Sequence, residues 1–531
     1  MDDKLREEIN RRRTFAIISH PDAGKTTLTE KFLLFGGAIN TAGSVKGKAN
    51  SKYAVSDWMD IEKERGISVT SSVLQFNYDG YCINILDTPG HQDFSEDTYR
   101  TLMAADSAVM VIDASKGVEA QTIKLFKVCV MRHIPIFTFI NKMDRDARDT
   151  FELLDDIETV LGIKTCPVNW PIGSGKEFKG VYDRKTQVVS TFQAISTGGA
   201  KKAAETDYHI EDEELKKLVG PYLYDQFKEE IELIDGATEE MDIEKVRAGE
   251  LSPVFFGSAL NTFGIEQFLN YFLEMTTPPL GRNSSEGIID PVTEPFSAFV
   301  FKIQANMNKA HRDRIAFMRI CSGKFEAGME VYHAASKRKI KLSQPQQLMA
   351  QDRKIVEEAY AGDVIGVFDP DLFSIGDTLT TGGKKFEYEG IPTFAPEHFC
   401  RVVQLNSMKR KQFVKGVTQI AQEGAIQIFQ EYTAGLSEII VGVVGVLQFD
   451  VLKYRLENEY GCEIRLEPIP YNYIRWVKDP TTDVTKLKRV SDVKKVKDMK
   501  GNPLLLFANE WVINQVLQHN EGLELEEFRK N

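Results

Sequence analysis

Residues 14–29 read TFAIISHPDAGKTTLT, and this stretch decides the fold. The mostly apolar TFAIIS predicts a buried strand, and the amphipathic pattern that starts near Lys25 predicts a helix. A short loop between strand and helix turns backbone N–H groups and a helix N-terminus toward one point, which suits phosphate groups. Lys25 is expected to reach the β and γ oxygens, and the Thr26 hydroxyl to ligate Mg²⁺. Ser19 stands where the usual pattern has its first glycine.

Length and composition limit the class of protein. A chain of 531 residues is expected to form about three domains. Its 42% hydrophobic and 27% charged residues are typical of a soluble globular protein. The charged start MDDKLREEINRRR does not resemble a signal peptide, and no apolar run of about 18 residues could span a membrane. We therefore expect a cytoplasmic protein that makes no membrane contact.

The charge is unevenly distributed along the chain. A net charge of −12 argues against indiscriminate coating of nucleic acid. Two basic stretches stand out, MKRKQFVK at 408–415 and KLKRVSDVKKVKDMK at 486–500. Each is compatible with solvated surface or with contact to a polyanion such as RNA, and the sequence leaves both interpretations open.

Residues 1–280 alternate short apolar runs with longer amphipathic ones, which predicts a parallel sheet flanked by helices. The predicted strands are residues 14–19, 81–86, 108–113, 134–140 and 253–258. The Asp79-Gly80 pair predicts a hairpin turn. A charged stretch at about 176–246 interrupts this alternation and is expected to be an insertion in the first domain.

After the first domain, the pattern of predicted secondary structure changes twice. A Pro-, Gly- and Ser-rich linker lies at 276–295, and short β-type runs broken by Gly and Asp predict a β-barrel domain over 281–390. From 391 to 531, helical and strand patterns mix, which predicts an α+β domain with a split βαβ, ferredoxin-like unit. The stretch GVTQIAQEGAIQIFQ is expected to be helical, and a later helix is expected to align Leu447, Val451 and Tyr454 on one face.

Further polar residues follow two of the predicted strands. Asp87-Thr88-Pro89-Gly90 places a carboxylate at a strand end beside the phosphate loop, where Asp87 can bind Mg²⁺ through water and the Gly90 N–H can reach a γ-phosphate. His91 follows directly and is positioned to orient an attacking water. Upstream, Arg65-Gly66-Ile67-Ser68 offers the Ser68 hydroxyl to Mg²⁺ in a segment expected to switch with the nucleotide.

The residues after the strand at 134–140 favour guanine. The Asp144 carboxylate can accept from guanine N1–H and from the 2-amino group, a pair of donors that adenine does not offer. Asn141 and Lys142 are expected to brace the base and the loop. Ser258-Ala259-Leu260, after the last strand, is expected to supply a backbone N–H near guanine O6. Since no arginine is evidently placed as a built-in finger, intrinsic hydrolysis should be slow.

Together, DAGKTT, RGIS, DTPGH, NKMD and GSAL resemble the motifs of the translational GTPases, the family of elongation factors G and Tu. The resemblance implies GTP or GDP as ligand, Mg²⁺ as cofactor, Lys25 and His91 as catalytic groups, and Thr26, Ser68 and Asp87 as metal ligands. It also implies that Pro21 and Ile67 flank the catalytic histidine. The nucleotide-binding residues that it implies are Ser19, His20, Pro21, Asp22, Ala23, Gly24, Lys25, Thr26, Thr27, Asp87, Thr88, Pro89, Gly90, His91, Asn141, Lys142, Asp144, Ser258, Ala259 and Leu260.

Within this family, SDWMDIEKERGISVTSSVLQF and GVVGVLQFDVLKYRLENEYG resemble members that act in translation termination. That implies a monomer whose GTPase activity the ribosome stimulates, through the sarcin–ricin RNA and ribosomal proteins, and which recycles class I release factors. Alternatives are translocation or ribosome protection of the elongation factor G type, delivery of aminoacyl-tRNA, and a metabolic P-loop kinase or ATPase. The first implies further carboxy-terminal domains and the second a β-barrel third domain, whereas Asp144 disfavours the last.

Overall fold

The structure is a computed structural model that describes residues 3–39, 62, 69–193, 204–305, 314–342, 345–349, 352–391, 393–432, 439–488 and 492–527. Its helices are Asp3–Asn10 (α1), Lys25–Phe35 (α2), Ser95–Leu102 (α3), Ala120–Met131 (α4), Thr150–Leu161 (α5), Glu213–Val219 (α6), Pro221–Ala237 (α7), Ile243–Arg247 (α8), Ile265–Met275 (α9), Arg410–Gln422 (α10), Leu447–Asn458 (α11) and Glu510–His519 (α12). Within these described ranges, no helix is long and apolar enough to cross a bilayer.

The first unit is described with a mixed sheet, a smaller antiparallel sheet and a separate two-stranded antiparallel pair that follows them. Its strands are Arg12–Ser19 (β1), Ser72–Tyr78 (β2), Tyr81–Asp87 (β3), Ser107–Asp113 (β4), Ile136–Asn141 (β5), Lys164–Pro167 (β6), Asn169–Ile172 (β7), Gly180–Asp183 (β8), Val188–Gln193 (β9), Ala204–His209 (β10), Leu251–Phe256 (β11), Arg282–Ser284 (β12) and Gly287–Ile289 (β13). The five predicted strands correspond to β1, β3, β4, β5 and β11, with ends that differ by about two residues, as is usual for strand and helix boundaries.

The main sheet has the order β2-β3-β1-β4-β5-β11-β6 among the described residues, and only the β2–β3 pair is antiparallel. Apolar side chains cover both faces, with Phe32 of α2 stacked on Phe268 of α9 on one side and Leu125 of α4 buried on the other. The parallel strands β1, β3, β4, β5 and β11 all end at the same edge, which is where α/β sheets bind ligands.

The predicted hairpin turn joins β2 to β3. Asp79 and Gly80 have φ values of 45° and 78°, so both central residues are left-handed, as a type I′ turn requires. The smaller sheet has the order β10-β9-β8-β7, and α6 to α8 lie in the same part of the chain. The boundaries expected for the insertion remain a prediction, as do those of the three domains.

The second unit is all-β, as predicted. Its strands are Ser297–Ala305 (β14), Arg314–Ser322 (β15), Lys324–Glu326 (β16), Glu330–His333 (β17), Arg338–Lys341 (β18), Gln346–Met349 (β19), Asp352–Ile355 (β20), Glu358–Tyr360 (β21), Val364–Phe368 (β22) and Thr378–Thr380 (β23). The described strands form an antiparallel half-barrel in the order β18-β17-β23-β14-β15-β22-β19-β20, with β16 and β21 paired separately. Val300, Met318 and Ile365 are fully buried in its core.

The third unit is α+β, as predicted. Its strands are His398–Gln404 (β24), Gln427–Glu431 (β25), Ile439–Val443 (β26), Ile464–Pro468 (β27), Tyr473–Val477 (β28), Val493–Lys497 (β29), Pro503–Phe507 (β30) and Leu525–Glu526 (β31). The described strands have the order β27-β24-β26-β25-β29-β30-β28-β31. The segment β24-α10-β25-β26-α11-β27 is a ferredoxin-like double βαβ unit.

One helix prediction in this unit was wrong in its second half. The helix predicted from GVTQIAQEGAIQIFQ ends at Gln422, and Gly424 follows with φ 77°. The residues after it form the inner strand β25, in which Ile428 packs in one apolar cluster and Phe429 in another. Because β25 is covered on both faces, its apolar run lacks the alternation that would have distinguished a strand from a helix.

Candidate active site

The phosphate loop connects β1 to α2 in a conformation that depends on Gly24. Gly24 has φ 101°, and a Cβ atom at this position would overlap with the side-chain amide of Asn141. Ser19, by contrast, is the buried last residue of β1 and has extended backbone, so this position does not require glycine. The departure from the usual motif at Ser19 therefore leaves the shape of the loop intact.

Lys25 and Asp87 form a buried ion pair at the start of α2. The Thr26 side chain beside them is mostly buried. The Thr88 hydroxyl donates to the carbonyl of Ile17 at 2.7 Å and so fixes the segment after β3 against β1. In this arrangement the ammonium and the carboxylate neutralise each other's charge.

The segment Asp87-Thr88-Pro89-Gly90 also lies against the phosphate loop. A Cβ atom on Gly90 would come within 3.5 Å of the Pro21 Cα. His20 lies 3.4 Å, Nε2 to Oε1, from Glu119, and its Nδ1 is buried without a hydrogen-bond partner. The structure thus brings together the two segments that were predicted to share the γ-phosphate.

Asn141 ties three segments of the predicted base site together. Its Nδ2 donates to the carbonyl of Ala23 at 2.8 Å, and its Oδ1 accepts from the backbone N–H groups of Lys142 and Ala259, each at 2.8 Å. The phosphate loop and both predicted base-contacting segments therefore depend on one buried amide. The Ser258 hydroxyl donates to Asp144 Oδ1 at 2.5 Å and orients that carboxylate, whereas Leu260 is 46% exposed.

Lys142 contacts the phosphate loop and also a carboxylate that the sequence motifs did not reveal. Its Nζ donates to the Asp22 carbonyl and to Asp113 Oδ2, both at 2.6 Å, while its backbone is left-handed with φ 72°. Burial opposes ionisation of Asp113, but hydrogen bonds from Lys142 and Ser115 outweigh it and hold the pKa of that carboxyl below its ordinary value. Asp113 is the last residue of β4, at the sheet edge where ligands bind. A carboxylate at that position of the predicted strand was the feature of the sequence that could have indicated its part in the site.

His91 lies at the start of the 3-10 helix Gln92–Phe94 and is one-third exposed. Its Nδ1 accepts the backbone N–H of Asp93 at 3.3 Å and lies 3.4 Å from Asp93 Oδ1. The ring is therefore attached to its own segment on one side and accessible on the other. Its predicted neighbour Ile67 lies outside the described residues, as do Arg65, Gly66 and Ser68.

The residues that flank Ser68 are held by contacts that the sequence motifs did not reveal. Glu62 Oε1 accepts the backbone N–H groups of Val69 and Thr70 at 2.9 and 3.1 Å. Asp97 Oδ2 accepts both the backbone N–H and the hydroxyl of Ser71 at 2.6 Å. The buried Lys302 of β14 donates to the Ser71 carbonyl and lies 3.8 Å, Nζ to Oδ2, from Asp97.

These contacts keep Asp97 charged. Burial opposes its ionisation, but the Lys302 charge and the hydrogen bonds from Ser71 hold its pKa below the ordinary value. Lys302 lies within the apolar run FSAFVFKI, which predicts a buried side chain. Because a buried lysine is almost always paired, that position could have indicated a polar partner. The contact joins the second unit directly to the predicted switch segment.

Three family models match successive parts of the chain. The elongation factor Tu GTP binding domain matches residues 10–278, elongation factor G domain 2 matches 295–382, and the class II release factor RF3 C-terminal domain matches 388–517. Curated relatives named peptide chain release factor 3 match nearly the full length. The protein from Symbiobacterium thermophilum is 56% identical over 98% of both chains, and that from Gloeobacter violaceus is 53% identical over 99% of this chain and 98% of its own. The chain belongs to the peptide chain release factor 3 family.

This family lies within the translational GTPases, as the sequence motifs predicted, and the chain binds guanine nucleotide through its first unit. A crystal structure of a protein from Thermus thermophilus has a similar fold, with a TM-score of 0.70 and 22% identity over 93% of this chain and 72% of that one. The release factor 3 C-terminal model covers the third unit, so the comparisons do not favour translocation or ribosome protection of the elongation factor G type.

Proposed function

We propose that this chain is a ribosome-stimulated GTPase that promotes the GTP-dependent departure of class I release factors after termination. The chain is a translational GTPase of termination that hydrolyses GTP, on the strength of its family. The site assignment is supported by the hydrogen bonds of Asn141, which join the phosphate loop to both predicted base-contacting segments. We further propose that the protein acts as a monomer in the cytoplasm.

The phosphates lie along the loop from Ser19 to Thr27 in this proposal. Backbone N–H groups and the N-terminus of α2 stabilise their charge, and Lys25 leaves Asp87 to contact the β and γ oxygens. Gly90 donates its N–H to the γ-phosphate. The ion pair between Lys25 and Asp87 supports this assignment because it places the ammonium group and the carboxylate together beside the phosphate loop.

The base is recognised by Asp144, which accepts from the two donors on the guanine edge. The hydrogen bond from Ser258 fixes the orientation of the carboxylate before the nucleotide arrives. The backbone N–H of Ala259 donates to Asn141, and the N–H groups of Asn261 and Thr262 donate to Ser258 and Ala259. This shifts the expected O6 contact toward Leu260.

Mg²⁺ fits the oxygen donors that the site offers. Hard divalent cations take hydroxyl, carboxylate and phosphate oxygens, and Thr26 and Asp87 provide the first two at the start of α2. Ser68 is the third proposed ligand. When bound, Mg²⁺ neutralises charge on the β and γ oxygens during transfer of the terminal phosphoryl group.

Hydrolysis is conditional because His91 is only partly held in place. Its free side is accessible, and we propose that the sarcin–ricin RNA and ribosomal proteins complete its positioning beside the attacking water, with Pro21 as the neighbour that restrains it beforehand. The basic surface of the third unit supports ribosome contact through Lys411 and Lys415, which are exposed on α10. In the stretch at 486–500, Lys494 pairs with Glu431 and Lys495 donates to the Thr485 carbonyl, so these two lysines are less available for such contact.

Departure of a labelled class I factor from terminated ribosomes tests the function. We expect this protein with GTP, but not with GDP, to accelerate departure. The matched control is Asp144→Asn, which should fail with GTP and recover with XTP, because the change moves base preference without altering any ribosome contact. Departure that is equally slow with and without the protein and GTP would contradict the proposed function.

A further inference from the structure

Asp93 faces the predicted catalytic histidine and the third unit at the same time. Its Oδ1 lies 3.4 Å from His91 Nδ1, and its Oδ2 accepts the backbone N–H of Leu447 at 2.7 Å. Its side chain is buried, with 8% exposed. One carboxylate therefore bridges the ring of His91 and a backbone group that lies 354 residues further along the chain.

The partner in the third unit is the start of a helix. Leu447 is the first residue of α11, so its N–H has no acceptor within the helix, and a carboxylate is stabilised at such a terminus. The preceding N–H groups of Val444 and Gly445 are already satisfied by Gln448 Oε1 at 2.9 and 3.0 Å. Leu447 donates to Asp93 of the first unit instead of to a residue of its own turn.

The approach of the two units depends on a glycine. A Cβ atom on Gly445 would overlap with both the carboxyl group and the backbone of Asp93. The φ angle of Gly445 is not positive, so glycine is not required here for a left-handed backbone. It is required because the absence of a side chain lets the third unit approach Asp93. Substitution by alanine therefore disturbs the contact from the third unit without changing any residue of the nucleotide site.

An apolar contact accompanies the polar one. Phe94, the residue after Asp93, packs in a cluster with Val69 and Val451, and Leu447 and Tyr454 flank it. The predicted helical face of Leu447, Val451 and Tyr454 thus covers residues on both sides of the site, next to His91 and next to Ser68. Movement of α11 must change the surroundings of both.

We propose that Asp93 is a positioning residue for His91 and that the Leu447 N–H of the third unit holds it in the orientation that supports hydrolysis. This inference deepens the proposed function and rests on the role of His91 in it. Docking of α11 fixes the Asp93 side chain, and with it the Asp93 backbone N–H that donates to His91 Nδ1 and orients the ring. When the third unit shifts, Asp93 loses the Leu447 N–H, and the ring loses its orientation.

The test measures ribosome-stimulated GTP hydrolysis for Asp93→Ala, Asp93→Asn and Gly445→Ala in the full chain. We expect Asp93→Ala and Gly445→Ala to lower kcat about tenfold, the effect of one misplaced group near the reacting atoms, while the KM for ribosomes stays within about twofold. Asp93→Asn keeps an acceptor for Leu447 and should retain most of the activity. Gly236→Ala is the matched control, because its Cβ would enter open space in α7.

A change in KM with kcat unaltered would overturn the inference, and so would unaltered activity in both Asp93→Ala and Gly445→Ala. Measurements of GDP affinity and thermal unfolding verify that each variant is folded. If Asp93→Ala does not fold, Gly445→Ala still tests the inference.

A double-mutant cycle with His91→Ala and Asp93→Ala separates this inference from the proposed role of His91. If His91→Ala is fully active, the proposed role of His91 fails. If His91→Ala slows hydrolysis to a residual rate and Asp93→Ala lowers that rate further by the same factor as in the unaltered protein, only this inference fails.

Discussion

The two ends of the nucleotide site are built differently. At the base end, Asn141 and Lys142 are held by Ala23, Asp113 and other residues of the first unit. At the γ-phosphate end, Ser71 is held by Lys302 of the second unit, and Asp93 by Leu447 of the third. The predicted guanine site is therefore held by contacts within one unit, whereas the segments around the predicted γ-phosphate site are held by contacts from all three units.

This difference gives a physical reason for separating binding from hydrolysis. A GTPase that must wait for a particular ribosomal state can keep its nucleotide while its catalytic groups are out of place. In the proposed mechanism, contacts from two other units provide that control, because rearrangement of the units alters Ser71 and Asp93 without changing the contacts of Asn141. The comparison predicts that variants at the two ends change different measured quantities.

The largest effect is expected at Asp144. Asp144→Asn replaces a carboxylate that accepts two hydrogen bonds with an amide that offers a donor, so preference should move from guanine to xanthine nucleotides by on the order of 10⁴-fold. Dissociation constants for GDP and XDP check this directly. With XTP, ribosome-stimulated kcat should return to the GTP value of the unaltered protein. An unchanged preference for GDP would place the base elsewhere.

The next effect is expected at His91. His91→Ala removes the proposed water-positioning group and should lower ribosome-stimulated kcat by about 10²- to 10⁴-fold, with GDP affinity unchanged. His209→Ala, an exposed histidine on β10, is the control and should match the unaltered protein. Full activity in His91→Ala would refute the assignment.

Asn141→Ala sharpens the base end of the comparison. The change removes hydrogen bonds to three segments, at about 1 kcal/mol each, so GDP should bind about 10²-fold more weakly. At saturating GTP, kcat on ribosomes should stay within about twofold, because the γ-phosphate end is held by other contacts. A loss of kcat as large as the loss of affinity would show that the two ends are not separate.

The smallest effect is expected at Lys302. Lys302→Met removes the barrel contact to Ser71 and should lower ribosome-stimulated kcat about tenfold, the cost of one misplaced segment near the reaction. GDP affinity should not change. Lys324→Met, an ion-paired lysine of the same unit, provides the control. Thermal unfolding distinguishes a loosened switch segment from a destabilised barrel, since breaking a buried charge pair is costly.

At the base end of the predicted site, the sequence indicates which segments lie together, although not the Asp113 partner of Lys142, whereas at the γ-phosphate end it does not indicate the contacts between units. Asn141, Lys142 and Asp144 lie in one short motif at a strand end, and the sheet rules place that end beside the phosphate loop. The contacts of Ser71 and Asp93 span 231 and 354 residues and join different units, which no local pattern records. The same limit explains the wrong helix prediction over β25. Its apolar run is typical of a strand only when both faces of that strand are known to be covered.

The most direct test of the separation is to combine Asn141→Ala and Lys302→Met and to measure GDP affinity and ribosome-stimulated kcat for each single variant and for the pair. We expect GDP affinity to fall by the Asn141→Ala factor in both backgrounds and kcat to fall by the Lys302→Met factor in both, with no coupling between the two substitutions. If Lys302→Met weakens GDP binding as much as it slows hydrolysis, the two ends act as one, and the central claim is wrong.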